Sequence, residues 1–149
     1  MRVLLVAPHS LLEPRGNSVT LARLAAGLRA AGLRVKLLGP DEPGPRGGFD
    51  IVHAFHATKA GPRALGLAAR VGAALVVTLT GTDINQDLQD PGRGKVVRRV
   101  LEQAAALIAF SPAGHAQLQR QSKSWAAKTQ VVPAGVAPQF FSCGMGREG

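Results

Sequence analysis

The stretch VVTLTGTDINQD, residues 76–87, opens as an unbroken apolar run rich in valine and then sets Thr80, Gly81, Thr82, Asp83 and Asn85 close together. A short continuous run of this kind reads as a strand buried on both faces, the sort found in a parallel sheet with helices above and below. In such sheets ligands gather outside the carboxyl ends of the strands. The residues directly after the run therefore carry the first candidate site. Gly81 reaches backbone conformations closed to other residues, while its neighbours offer hydroxyl, carboxylate and amide groups. Two readings of Asp83 stand side by side here. It contacts a ligand, in which case Asp83→Ala leaves the fold intact and weakens binding, or it bonds its own backbone in an Asx-type turn.

Working outward, strand-like and helix-like stretches alternate along the whole chain. Strands are predicted at 2–7, 34–39, 50–55, 74–79, 106–110 and 129–135, and helices at about 17–31, 59–71, 95–105 and 112–121. Asn17 is expected as an N-cap, Ser111 followed by Pro112 as a helix start, and Gly32 and Gly72 as helix ends. Residues 40–48 are too rich in proline and glycine to hold either element. This alternation predicts an α/β fold, a Rossmann-like doubly wound, mostly parallel sheet of about six strands. One domain over 1–141 and an irregular tail over 142–149 are expected.

The 149 residues suffice for one core without metal or disulfides. With 46% hydrophobic, 18% charged and 4% aromatic residues, that core is built from Ala, Leu and Val. No apolar run approaches the roughly 20 residues of a membrane helix, and no signal-peptide pattern opens the chain, so a cytoplasmic location is expected. The net charge of +9 is spread singly and there is no tyrosine, which argues against a nucleic-acid surface and leaves phosphate-bearing small ligands compatible. The single cysteine, Cys143, makes no internal disulfide and lacks the setting of a catalytic thiol.

Other chemistry is narrowed by absences. There is no G-x-G-x-x-G with an acidic residue after the second strand, and no G-x-x-x-x-G-K-[ST], which disfavours a dinucleotide site and excludes a P-loop. Arg15, Gly16 and Asn17 form a glycine-bearing helix start suited to an anion. His53 and His56 are three apart on a strand whose side chains alternate faces, and no further ligand set accompanies them, so no metal site is expected. His53 reads as a satisfied core residue and His56 as a candidate for the cleft wall. No catalytic residue and no cofactor is assigned.

The ordered segments MRVLLVAP, GNSVTLARLAAGLRAAGLRV, DIVHAFHATKAG, VVTLTGTDINQDL, LIAFSPAGHAQL and VVPAGVAPQFF together resemble the N-terminal domain of a family 4 glycosyltransferase of the two-domain GT-B fold. The match spans about residues 1–141. GN-V-T and GTD-N-D make it similar to the branch of glycosyltransferase group 1 that includes the glycosyltransferase 1 domain-containing proteins and the selenosugar synthases. The resemblance implies metal-independent, retaining transfer of a sugar from a nucleotide-sugar donor to an acceptor, in a cleft between two Rossmann-like domains. It implies that Gly16 and Asn17 lie on the donor side, His56 on the cleft wall, and Thr80, Gly81, Thr82 and Asp83 against the transferring sugar. Many members carry histidine where this chain has Thr80. The family's second domain carries two glutamates seven residues apart, a spacing that Glu13, Glu42, Glu102 and Glu148 do not reproduce. The chain is therefore expected to be the acceptor-side half of the enzyme, nearly inactive until a C-terminal domain or second chain completes it. A stand-alone nucleotide or phosphosugar binding module is the alternative, and a protein interaction domain a third reading.

Overall fold

The structure, a computed structural model, describes residues 1–13 and 16–135. The expected tail over 142–149, Cys143 and the last residues of the expected domain lie outside the described residues, as do Pro14 and Arg15. Six strands, β1 (Arg2–Val6), β2 (Arg34–Leu38), β3 (Ile51–Phe55), β4 (Ala74–Leu79), β5 (Ala106–Ala109) and β6 (Thr129–Val131), form one sheet in the order β2-β1-β3-β4-β5-β6. Every pairing is parallel, with Val3 opposite both Val35 and Ile51, and Val76 opposite both His53 and Ala106. The expected doubly wound α/β sheet is what forms.

The chain moves from β1 outward to β2, then crosses back to β3 and proceeds the other way. Because crossovers between parallel strands are right-handed, this reversal puts the first helix on the opposite face from those that follow. α1 (Gly16–Ala30) packs Leu21 and Ala25 onto Val3, Leu5 and Phe55. On the other face lie α2 (Gly61–Val71), α4 (Arg93–Gln103), α5 (Pro112–Gln121) and α6 (Lys123–Ala127), whose Ala64, Leu67, Val97, Val100, Leu118 and Trp125 cover Leu4, Val6, Val52, Val77 and Leu79. The inner strands are mostly apolar because helices bury them from both sides, His53 and Thr78 being the buried polar exceptions on β3 and β4, whereas edge strand β2 exposes Arg34 and Lys36. Helices α2 and α4 approach closely at Gly61, where a Cβ would stand 2.9 Å from a Val100 methyl.

Several boundaries shift for identifiable reasons. α1 begins at Gly16, so Asn17 lies inside its first turn and does not serve as the expected N-cap. α2 begins two residues after the predicted Lys59, with Pro62 in its first turn. α4 begins at Arg93, earlier than predicted, where the Asp90 carboxylate accepts the Gly92 and Arg93 N–H groups at 2.9 and 2.8 Å. The polar stretch after β4, to which the sequence assigns no helix, winds into α3 (Thr82–Asn85) and a 3-10 turn over Asp87–Gln89. α6 escaped the periodicity reading because five residues are too few to show a period. The Ser122 hydroxyl accepts the Trp125 N–H at its start, and Trp125 is buried against the core. β6 stops at Val131, since Val132 still donates to the Ala109 carbonyl but Pro133 has no N–H to continue. Ser111 does cap α5, accepting the Gly114 N–H at 3.1 Å, and Gly32 and Gly72 leave their helices with positive φ. No helix among the described residues is long and apolar enough to cross a membrane.

Candidate functional site

At the carboxyl ends of β4 and β5 the chain opens a pocket of about 290 Å³. Thr80, Gly81 and Asn85 line one side; Ser111, Ala113 and Gly114 of the α5 start line the other, with Gln117 and Arg120 one and two turns further on. Gly81 holds φ at 121°, a conformation L side chains rarely adopt, and so lets the backbone turn sharply from strand into α3. Gln117 Nε2 donates to the Ile84 carbonyl at 3.0 Å, which fixes α3 to α5 across the floor. The pocket thus combines hydroxyl and amide groups with the positive end of a ten-residue helix and the guanidinium of Arg120. That combination suits a ligand with both hydroxyls and negative charge.

Beneath this rim lies a layer that holds it in place. Asp83 is 0% exposed. Its carboxylate accepts backbone N–H groups from Thr80 and Gly81 before it and Ile84 after it, and from Ala57 in the loop after β3, at 2.9 to 3.2 Å. The turn reading of Asp83 is therefore the one this geometry fits, and the expectation that Asp83→Ala leaves the fold intact is corrected. Asp83 joins two loops, and its oxygens are occupied in doing so.

His56 belongs to the same layer. Its Nδ1 accepts the N–H groups of Thr58 and Lys59 at 3.2 and 3.1 Å, which leaves the proton on Nε2 to be donated to Thr82 Oγ1 at 2.9 Å. The ring is 1% exposed, so it supports the wall from below rather than facing the cleft as expected. Burial pulls its pKa below the ordinary 6.5; the Asp83 and Asp87 carboxylates oppose that pull, while Lys59 and His9 add to it. Thr58 Oγ1 donates to Asp87 at 2.7 Å, and Asp87 pairs with Arg93 at 3.0 Å, lacing the loop after β3 to the start of α4.

His53 points to the other side of the sheet, as strand alternation requires. Its Nε2 lies 2.6 Å from Thr78 Oγ1, and burial holds its pKa at about 4. It lines a groove of about 330 Å³ beside α1, with Thr20, Leu24, Phe55, Ile108 and Phe110. This groove runs along the α1 face of the sheet and reaches Phe110, Val132, Pro133 and Ala134 just past the ends of β5 and β6; its lining is mostly apolar side chains, whereas the pocket beyond β4 gathers the hydroxyls, amides and Arg120.

Of the sequence-predicted residues, Thr80, Gly81 and Asn85 meet at the pocket, and His56, Thr82 and Asp83 meet under it. Gly16 and Asn17 line neither; they form the first turn of α1, after β1. Sequence reasoning missed Gln117 and Arg120 and took Ser111 only as a cap. The signal available was Ser111–Pro112 itself, a helix start directly at a strand's carboxyl end.

The chain matches the Glycosyl transferase 4-like domain over residues 45–135. Among solved structures it is similar to Anabaena Alr3699/HepE in complex with UDP and glucose, at 16% identity with a TM-score of 0.59, covering 96% of this chain and 48% of that one. The HepE complex with UDP gives 17% identity, the same TM-score of 0.59 and the same coverage of 96% and 48%. The chain thus spans about half the length of these solved structures, and its fold is the GT-B half expected from the sequence. No curated protein matches it in sequence. With more than half its residues inside the matched region, the chain belongs to the glycosyl transferase 4-like domain family.

Proposed function

We propose that this chain is the N-terminal, acceptor-side half of a retaining glycosyltransferase that moves a sugar from a nucleotide-sugar donor to an acceptor. The observation that supports this reading is the pocket at the tips of β4 and β5, where Thr80, Gly81 and Asn85 face the α5 start and Arg120. In this reading Thr80 and Asn85 bond sugar hydroxyls, the Gly81 turn gives the sugar close access to backbone, and the helix start with Arg120 attracts the diphosphate. His56, Thr82 and Asp83 hold that wall in shape, and Gly16 and Asn17 face the donor from α1. The domain over 1–141 works in the cytoplasm and turns over only when a C-terminal domain or second chain supplies the other wall. Transfer depends on positioning and preorganised charge around the reacting centre, and one wall supplies only part of either.

Incubating the chain alone with UDP-glucose and following UDP release is expected to give a rate indistinguishable from buffer. Robust turnover would contradict the half-cleft reading. The second reading, a stand-alone module for nucleotides or phosphosugars, draws on the same hydroxyls, helix start and Arg120 guanidinium. Calorimetry separates the two: the half-cleft reading expects affinity of about millimolar order for UDP-glucose, the module reading about micromolar or tighter.

A further inference from the structure

Among the described residues His56 is the one non-glycine with positive φ, at 93°. Such a conformation is strained for a residue with a Cβ and persists only where the surroundings over-determine it. Here the surroundings are identifiable. The backbone N–H of His56 donates to the Thr78 carbonyl at 2.9 Å, and its own carbonyl accepts from Ala60 and Gly61, both at 3.1 Å. The ring then turns back, so that Nδ1 accepts from Thr58 and Lys59 while Nε2–H reaches Thr82 at the start of α3.

This arrangement works in one protonation state only. A neutral imidazole has one acceptor and one donor, and both are used. Protonation puts a hydrogen on Nδ1, which turns the acceptor of two amides into a donor aimed at them. The charged and titratable groups that face the ring are Asp83 and Asp87 from the segment after β4, Lys59 from its own loop, and His9 from the loop after β1, with Lys59 Nζ 3.4 Å from His9 Nε2. The two carboxylates favour the new charge, yet Asp83 already holds four backbone amides and Asp87 holds Thr58 and Arg93, so neither replaces the amide bonds that protonation breaks.

We propose that His56 is a pH-sensitive clasp: neutral, it locks the turn over 57–59 against α3, and protonated, it releases that turn and loosens the wall formed by Thr80, Gly81 and Asn85 while the sheet stays folded. The bearing of the clasp on sugar transfer rests on the function proposed above; the clasp itself does not. Its failure and the failure of that function are therefore read from different experiments.

Residue-resolved hydrogen exchange on the whole chain, corrected for the intrinsic rate at each pH, tests it from about pH 7.5 downward until the sheet itself begins to unfold. The His56 ring nitrogens are followed in the same samples. The neutral ring is expected as the Nε2–H tautomer. As it titrates, protection of the Thr58 and Lys59 amides should fall about tenfold or more, while Leu5 and Val77 in the sheet keep theirs. In His56→Asn, whose side-chain oxygen still accepts and whose residue type tolerates positive φ, the two amides should show no pH step. Four results would overturn the proposal. They are an Nδ1–H tautomer, a ring that stays neutral until the sheet itself unfolds, Thr58 and Lys59 protection that stays level or falls in step with the sheet as the ring titrates, and the same pH step in His56→Asn.

Discussion

Asp83→Ala is expected to lower the melting temperature by roughly 10 °C at neutral pH, since a domain of this size shifts by about 3 °C per kcal/mol. The carboxylate is fully buried and accepts four backbone N–H groups, those of Ala57, Thr80, Gly81 and Ile84. Alanine leaves all four without their acceptor. A buried donor without a partner costs about 1 to 3 kcal/mol, and some of the four will find water as the turn relaxes, so the loss should be about 3 to 5 kcal/mol. Asp83→Asn keeps one carbonyl oxygen but points an amide N–H₂ toward other donors; about half the loss is expected. Thermal unfolding followed by circular dichroism measures both variants. A melting temperature for Asp83→Ala within about 3 °C of the parent would show that the bonds do not anchor the turn.

The second large effect appears on acidification. His53 is buried with its pKa held at about 4, against 6.5 for the unfolded chain. Between those values the unfolded chain takes up a proton that the native state refuses, so stability is full above about pH 6.5 and is lost as pH falls toward about 4. One such histidine gives a slope of about 1.4 kcal/mol per pH unit and a total loss of about 3 kcal/mol. His56, also shifted downward, adds a loss of the same sign as pH falls below its ordinary value. Urea unfolding at a series of pH values should therefore show a steep acid limb. His53→Gln can still bond Thr78 but does not titrate, and it should flatten that limb by close to one proton's slope. An unchanged limb in the variant would place the acid sensitivity elsewhere.

Both predictions rest on side chains whose roles could be read only in part from the sequence. The sheet was legible because each inner strand is a short apolar run between helix-like stretches, and β4 runs over 74–79 as its pattern predicts. His53 was legible as a core residue because strand alternation separates it from His56. The turn after β4 was not. Thr82, Asp83 and Asn85 are weak helix formers, and α3 exists because Asp83 satisfies the amides around it and a loop distant in sequence closes on the same carboxylate. Likewise nothing in the local pattern signals a positive φ at His56, which is imposed by bonds to Thr78, Ala60 and Gly61. Arg120 stood in the sequence as one scattered cation among 18 Lys and Arg residues, and only the sheet order brings it to the pocket.

In the proposed function, the wall at the tips of β4 and β5 is where a nucleotide sugar meets this chain. Amide chemical-shift mapping during titration with UDP-glucose, carried to on the order of 10 mM so that weak binding is seen, tests it most directly. The largest shifts are expected on Thr80, Gly81 and Asn85 and on Ala113 and Gly114 across the pocket. Shifts confined to the α1-side groove at Thr20, Leu24 and His53, or no shifts at all, would sink it.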